Sequence, residues 1–543
     1  MSSVDHLMEK GLAGISTKQK SSKAETSKPE CMAAVIGYRE DADLFTQALE
    51  SYSRALGCEF VLVGIDGDEK EDEYMIEIFK KVYPKRSAVI HLDTPLVDLA
   101  LELSSSLPES QNKDDHIIAS CIRVVRQHLH ESNISLHDIR YLCVHQPHMH
   151  KKGIMFTTFI LSLVITQTFG LEWIWSSDSD TIVDRNTISS TTSICTSDND
   201  VGGACATLVI HNRDDNLLTR LSAAVYLSDY YLARSFPSSF AANECQSGPC
   251  ALFRASALAP ILLPWYTQTV MGRWMRVNED RHLTTLLLRR GYRVLYAADA
   301  IAATESPPTL RRWLLQQVRW SRACHVEGLL AAPAIYVLHH PVLFLNAVRR
   351  ALGAVAIPLS VSAYALTGYA TRSLAGADMC RRLLVICVYL VLRSPCRPRK
   401  WTEWLWLLPG QAMFSIAAQG IQLWALITML DGDWGTCMRA STEVHADAVG
   451  ESNADSTESG LQGNTKGGLL ASPIGTGRKS RVRRRAQEIG FFVFWIGLVV
   501  GALVRAWASG SYAPDDGIPT LLAFGCMMMT WLGMAWWMVV VSN

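Results

Sequence analysis

The sequence carries no net charge, because 51 Lys and Arg balance 51 Asp and Glu. No global field therefore argues for a nucleic-acid partner. It also lacks any Cys-X-X-Cys pair or Cys/His cluster at zinc spacing among its 14 cysteines. Scattered cysteines of that kind fit a reducing cytosolic environment, with some thiols buried in a membrane. Residues 1–30 hold no apolar core, which excludes a signal peptide. Their polar, Lys/Ser-rich composition predicts a disordered tail. No internal repeat is visible.

What the chain has in surplus is hydrophobicity, at 49% of 543 residues. That length suffices for two or three domains. The surplus is uneven, and most of it lies beyond residue 330. Residues 31–325 read as α/β. The short apolar runs "CMAAVIGY", "CEFVLVGI", "SAVIHL", "RYLCVH", "LEWIWSS", "VGGACATLVI" and "RVLYAADAIAA" alternate with helical patterns. This rhythm predicts a mixed, mostly parallel sheet with helices on both faces.

Residues 326–436 change in texture. "APAIYVLHHPVLFLNAVRR" predicts an interfacial helix, and 351–370 is nearly long enough to cross a bilayer. "RRLLVICVYLVLRS" is a shorter apolar run. Residues 401–430 are Trp-flanked and interrupted by Pro409-Gly410, with interfacial, spanning and re-entrant readings all open. Residues 437–487 are predicted to form a disordered loop that ends in the basic run "GRKSRVRRRAQ". Residues 488–543 then supply two spans, 490–508 and 519–541. Basic residues immediately before a span place that loop on the cytoplasmic side. A double crossing by 351–393 puts the α/β region on the same side.

Three predicted strand ends carry acids. Tyr38, Arg39, Glu40 and Asp41 follow the first, Asp66 and Asp68 the second, Asp178 and Asp180 the third. Ligands of open α/β sheets bind beyond the carboxyl ends of strands. One acidic pocket there needs a cation, and hard oxygen ligands suit Mg²⁺ or Mn²⁺ bridging to a nucleotide diphosphate. Taken alone, Asp-X-Asp is most often a solvated turn. Glu279 and Asp280 start a predicted helix closed by Gly291. They either complement its dipole or include a general base. "RRWLLQQVRWSRA", 311–323, sets Trp313, Gln316, Gln317 and Trp320 near one helical face with Arg319 beside them. A sugar and pyrophosphate site is one reading of that face. Trp packing on a membrane surface is the other.

In order, Asp66, Asp178-Ser-Asp180, Glu279-Asp280-Arg281 and Gln316-Gln-Val-Arg319-Trp320 resemble the D, DxD, ED and QxxRW signature of processive, inverting family-two glycosyltransferases. These are the membrane synthases of cellulose, chitin and hyaluronan. "VIGYREDADLFTQALES", "CQSGPCALFR", "VNEDRHLTTLLLRRGY", "QQVRWSRA" and "GDWGTCMR" resemble the hyaluronan synthases in particular. The resemblance implies a GT-A-type domain followed by interfacial and transmembrane helices. It implies that Tyr38 and Asp66 hold the uridine of UDP, and that Lys151 contacts phosphate. Asp178 and Asp180 would hold the sugar diphosphate and a Mn²⁺ or Mg²⁺ ion, Asp180 foremost. Cys245, Ser247, Gly248 and Pro249 would border the acceptor sugar. Asp280 would be the base, flanked by Glu279 and Arg281. Gln316, Arg319 and Trp320 would position acceptor and pyrophosphate. Trp434, Gly435 and Thr436 would gate the nucleotide.

The implied partners are UDP-GlcNAc, UDP-GlcA, the growing polysaccharide and the lipid bilayer. A partner subunit or a second copy of the chain is a further option. The implied location is the plasma membrane, with the catalytic domain cytoplasmic. The sequence departs from the family pattern in four respects. The family has helices ahead of the catalytic domain, where this sequence begins its sheet after a polar tail. Cys250-Ala251 replaces Leu-Gly, Gly153 replaces an acid, and Val318 replaces Thr. A chitin-type synthase using UDP-GlcNAc alone and a catalytically inactive membrane scaffold stand as the competing readings.

Overall fold

The computed structural model describes residues 31–368 except 111, 197 and 332–338, then 384, 388, 406–431 and 478–508. Its strands are β1 (Cys31–Gly37), β2 (Cys58–Asp66), β3 (Ser87–His91), β4 (Tyr141–Gln146), β5 (Trp173–Asp178), β6 (Ile182–Val183), β7 (Val201–Ile210), β8 (Ala251–Arg254), β9 (Thr269–Val270), β10 (Arg273–Trp274) and β11 (Arg293–Thr304). The helices that matter below are α1 (Ala42–Arg54), α2 (Glu73–Val82), α3 (Lys113–Glu131), α4 (Lys151–Phe169), α5 (Leu217–Ser228), α6 (Glu279–Arg289), α7 (Leu310–His325), α8 (Pro341–Thr367), α9 (Leu407–Ile427) and α10 (Arg478–Ala508).

Among the described residues, one nine-stranded sheet runs in the order β3-β4-β2-β1-β5-β8-β7-β11-β6. It is parallel except at β8 and β6, and β9 with β10 forms a separate antiparallel pair. All seven expected runs are strands. The short β8 escaped notice because its four residues follow directly on the Ser-Gly-Pro turn.

Both faces of the sheet are buried, which is why its central strands are continuously apolar. In β1, Met32, Ala34 and Ile36 pack on one face against α3 and α4, while Cys31, Ala33 and Val35 pack on the other against α1 and α2. The central helix is α4. It is apolar all round, and residues 152–166 are all buried, as expected of a helix enclosed by its own domain.

By length and composition, three described helices could cross a membrane: α4, α8 and residues 486–507 of α10. The position of α4 inside the core accounts for its apolarity. The other two carry exposed apolar side chains, Leu345, Leu352, Leu359 and Leu366 on α8 and Val493, Phe494, Val504 and Trp507 on α10. In a folded chain such surface needs lipid or a partner.

Three expectations are corrected here. The interfacial helix and the first span are not separate from Pro341 onward, since α8 runs unbroken through Arg349 and Arg350. Pro409-Gly410 does not interrupt its segment. Pro409 lies in the first turn of α9, where a missing N–H costs nothing. The basic run is not loop either, because Arg478–Arg485 form the first turns of α10. The 519–541 span, the gating segment and 440–477 lie outside the described residues.

The apolar end of the chain is fastened to the α/β domain through α9. Gly410 lies so close to α5 that an added Cβ would sit 2.6 Å from the Ala224 Cβ. Gln411 Nε2 donates to the Ala224 carbonyl at 2.8 Å. Trp313 of α7 is buried against this junction rather than facing a membrane. Trp495 of α10 packs on α9 and donates from Nε1 to the Ile416 carbonyl at 2.8 Å. A Cβ on Gly420 would meet that indole at 2.5 Å. We therefore expect Gly420→Val to destabilise the detergent-solubilised protein by about 1–3 kcal/mol, the usual cost of overpacking. Gly497, with open space around its Cα, is the control. Gly497→Ala should be neutral or stabilising by up to about 1 kcal/mol in the same thermal unfolding measurement.

Candidate active site

Register brings the acid-bearing strand ends together. Ile36 of β1 lies beside Asp178 of β5, and Gly37 lies beside Ile65 of β2. The turn after β5 is then locked onto β1. Ser179 N–H donates to the Ile36 carbonyl at 2.8 Å, and Ser179 Oγ donates to Glu40 Oε2 at 2.8 Å. A Cβ at Gly37 would collide with Ser179 at 2.7 Å, so glycine there lets the Asp-Ser-Asp turn close on the strand.

Lys151 stands at the first position of α4, where the helix dipole also favours anions. Its Nζ lies 2.8 Å from Asp178 Oδ1, 3.0 Å from Asp178 Oδ2 and 3.6 Å from Glu279 Oε1. Asp280 Oδ2 accepts the Gly248 N–H at 2.9 Å. Gly248 closes the cluster, since an added Cβ would sit 3.1 Å from Lys151 Nζ, 3.4 Å from Asp280 Oδ2 and 3.5 Å from Asp178 Oδ2. Thus Asp178, Glu279, Asp280, Gly248 and Lys151, which come from four distant segments, meet at one point. Asp280 Oδ1 is buried without a hydrogen-bond partner among the described residues.

The neighbouring carboxyls are pushed apart in pKa. Burial, then the adjoining Asp280, raises Glu279 to about 8. Burial opposes ionisation of Asp280 too, but Lys151, the Glu279 carboxyl and the Gly248 N–H outweigh it and hold Asp280 below its ordinary value. The same acids hold the buried Lys151 ammonium charged, above its ordinary range. Burial, helped by Asp180, still lifts Asp178 above the usual carboxylate range despite the ammonium. The cluster is therefore short of positive charge. Asp180 is buried and accepts from Thr181 Oγ1 at 3.0 Å and Thr304 Oγ1 at 3.3 Å. Among the described residues no three His, Cys, Asp or Glu side chains form a closed metal cluster. A donor set of two hard carboxylates that lacks positive charge fits a Mg²⁺-type ion, which binds one or two carboxylates and takes its remaining ligands from water and phosphate.

Tyr38 and Asp66 lie together through a residue that the sequence reading missed. The His148 ring stacks on Tyr38 with centroids 4.2 Å apart, and its Nδ1 lies 3.0 Å from Asp66 Oδ2. Burial would lower the pKa of His148, but the Asp66 carboxylate reverses that and raises it. Its only sequence signal was the run "QPHMHKKG". The broad acidic pocket expected from the strand ends is narrower in the structure. Asp41 caps α1 by accepting from Asp43 N and Leu44 N, and Arg39 is held by Glu69 and Asp72.

Ser247 Oγ lies 2.8 Å from Tyr230 Oη, and the Pro249 carbonyl accepts from Ser177 Oγ at 2.7 Å. The Cys245 carbonyl accepts from Arg234 Nη1. Arg281 points away from the Lys151 cluster. It pairs with Glu244 at 2.9 Å, and Arg350 of α8 pairs with the same carboxylate at 2.8 Å. Burial opposes that carboxylate, but the two guanidinium groups hold it down to about 2. Arg281 thus ties α6 to α8 instead of facing the acids. On α7, Arg319 is close enough to act electrostatically on Glu279 and Asp280. Trp320 is 37% exposed and meets Tyr226 edge-on at 6.0 Å. Gln316 has its amide oxygen 3.4 Å from the Gln317 amide nitrogen.

A sheet whose strand ends gather acids around one lysine, beside the 245–249 loop and a helix that carries Arg319 and Trp320, is compatible with glycosyl transfer. Residues 173–429 match the family profile "Glycosyl transferase family group 2". By that match the chain carries a family-two glycosyltransferase domain. It is 33% identical over 289 residues to an N-acetylglucosaminyltransferase of Neorhizobium galegae, covering 53% of this chain and 64% of that one. It is 30% identical over 306 residues to hyaluronan synthase 2 of Rattus norvegicus, covering 56% of this chain and 50% of the synthase. A solved mannosyltransferase from Pyrobaculum calidifontis aligns over 76% of this chain and 93% of its own, at 14% identity and a TM-score of 0.34. The chain therefore spans about half the length of the curated synthases it matches.

Glu279 gives a test of the site's electrostatics. Its pKa is raised from 4.5 to about 8 in the fold, so the unfolded chain binds fewer protons between those values. Stability from this group is complete below pH 4.5 and is lost as pH rises to about 8. Glu279→Gln, neutral at every pH, should flatten that part of the decline in melting temperature measured across the same range.

Proposed function

We propose that this chain is a membrane-embedded, inverting β-glycosyltransferase that extends a hyaluronan-type polysaccharide from UDP-GlcNAc and UDP-GlcA. The convergence of Lys151, Asp178, Glu279, Asp280 and Gly248 supports this most directly. The similarity to hyaluronan synthases supports the choice of product.

In this reading the Tyr38–His148 stack with Asp66 receives the uridine. Lys151, at the start of α4, meets the diphosphate. Asp178 and Asp180 would hold Mn²⁺ or Mg²⁺, which when bound neutralises charge on the departing UDP. Asp280 is held ionised beside a largely protonated Glu279 at neutral pH, and its partnerless Oδ1 accepts the proton of the acceptor hydroxyl. Attack from that side inverts the anomeric centre. Cys245, Ser247 and the adjacent backbone line the acceptor side, and Gln316, Arg319 and Trp320 face it from α7. Arg281 acts as a positioning residue through Glu244. The exposed apolar stripes of α8 and α10 seat the chain in the bilayer, the plasma membrane with the α/β domain cytoplasmic, where polymer leaves as it grows.

A second reading is favoured by one observation. The N-acetylglucosaminyltransferase relative is 33% identical and is covered over 64% of its length. It points to UDP-GlcNAc as sole donor and a chitin-type product. Membranes containing the chain and Mn²⁺, supplied with either donor or both, separate the two. Polymer only with both donors, digestible by hyaluronidase and abolished by EDTA, is the expected result. Polymer from UDP-GlcNAc alone would move the assignment to the second reading. Asp280→Asn should lower UDP release by roughly 10²–10⁴-fold, the typical worth of a general base. UDP binding, measured by calorimetry, should stay unchanged. Full turnover in that variant would remove Asp280 from the base role.

A further inference from the structure

We propose that Glu327 is a positioning residue for the Asp280 carboxylate, gripping the first turn of α6 from behind and tying it to the end of α7. The inference rests on the reading of Asp280 as the base.

Glu327 lies in a π-helical turn, Val326–Ala331, that continues α7 beyond His325. Such turns recur at functional sites. Its side chain is fully buried, at 0% exposure, so it meets no substrate itself. A carboxylate in such a place is costly unless donors surround it. Three groups do so. Gln268 Nε2 donates to Glu327 Oε1 at 2.7 Å, Asn278 Nδ2 donates to the same oxygen, and His282 Nδ1 lies 3.0 Å from it. All three are buried. Burial opposes the charge, but His282 and then the Gln268 amide outweigh it and hold Glu327 below its ordinary carboxyl range.

Two of the three bracket the acid pair. Asn278 stands at the cap position of α6, immediately before Glu279 and Asp280, and His282 follows two residues after Asp280. Positions 278 and 282 are four apart and share one face, whereas Asp280 is turned by about 200° from either. One carboxylate thus holds the back of the turn whose front presents Asp280 to the Gly248 N–H and the Lys151 ammonium. An apolar side chain would fill the same space at less cost, but it would leave Asn278 and His282 without an acceptor.

The same strip of chain is held at two further points. Lys152 Nζ donates to the Met275 carbonyl at 3.0 Å, and Trp265 Nε1 donates to the Glu279 carbonyl at 2.8 Å. Neither contact involves α7. Glu327 adds that link, because it continues the helix that carries Gln316 and Arg319. Its neighbour Val326 packs with Val270, Met275 and Val277 of the segment ahead of α6. On its other side, a Cβ added to Gly328 would sit 2.7 Å from the Ala347 Cβ of α8. The turn is therefore wedged between α6 and α8, and a shift of it is passed to the first turn of α6.

The test uses the full chain in nanodiscs with Mn²⁺ and both UDP-sugars, comparing Glu327→Gln, Asp280→Asn and the double variant. Glu327→Gln keeps the shape and removes the charge. It should lower kcat for UDP release by about 10²-fold, the cost of misplacing a reacting group by about an ångström. Donor KM and calorimetric UDP binding should stay unchanged. Added to Asp280→Asn, it should cost less than about twofold more, because it acts through that residue. A third readout is independent of turnover. Hydrogen exchange at the Gly248 N–H, which Asp280 accepts, should quicken by about tenfold in Glu327→Gln while β1 and β2 stay protected. Asn278→Ala removes one donor and leaves the charge. It should move kcat and Gly248 exchange in the same direction, and it serves if Glu327→Gln does not fold. Losses that multiply in the double variant, a raised donor KM at unchanged kcat, or Gly248 exchange unchanged in both variants would each overturn the proposal. Full turnover in Asp280→Asn would instead remove the base reading, and the exchange measurement would still decide whether Glu327 holds that carboxylate in place.

Discussion

The Lys151 ammonium sits where the end of β5, the loop before β8 and the first turn of α6 converge. Without it, Asp178, Glu279 and Asp280 would repel one another in a buried place. Everything around the site is arranged to keep that cation there. α4 is buried along most of its length, which fixes its first residue relative to the sheet. Lys152, next in the chain, is turned the other way, donating to the Met275 carbonyl at 3.0 Å and lying over the Trp265 ring. Gly248 gives the lysine room, and the Ser179–Glu40 contact holds the Asp-Ser-Asp turn against β1. One positive charge among three carboxyls leaves two with opposite character. Asp280 stays ionised while Glu279 keeps its proton. A single sequence dipeptide thus sets an ionised carboxylate beside a protonated one.

Much of this was legible from residue order. The parallel strands announced themselves because burial on both faces demands unbroken apolar runs, and acids at their ends stood out against that background. The ionic centre itself was not legible. Lys151 lies in a stretch whose helix has no polar face, so periodicity could not show where it begins or which way the lysine points. Arg281 shows the opposite failure. It belongs to the same tripeptide as the two acids, but one step along a helix turns a side chain by about 100°, and it faces Glu244 instead. Asp41 likewise carries an acid at a strand end and spends it on capping α1. His148 was missed because a lone histidine carries no pattern; only the fold sets it between Tyr38 and Asp66.

The two halves of the molecule are joined by small residues and by guanidinium groups, with Arg350 of α8 held on Glu244. Gly410 and Gly420 let α9 approach α5 and α10 closely enough for backbone and indole contacts. Arg322, on the helix that also carries Gln316 and Arg319, reaches Thr428, Asp431 and Glu488, and so touches both α9 and α10. The helix that carries Gln316 and Arg319 is thereby part of the same packed unit as α10, which is long and apolar enough to cross a membrane.

That junction also has a consequence for the order of synthesis. Trp313 is buried in a cluster that includes Met413, Ala417, Phe492 and Trp495. While the chain is being made, the sheet and its flanking helices are complete long before residue 495 leaves the ribosome. Throughout that interval the α5 and α7 surfaces lie open and apolar, and they close only when α9 and α10 arrive. The α/β domain of this chain therefore matures last on the face that α9 and α10 cover, and the packing of those helices is a step of its folding.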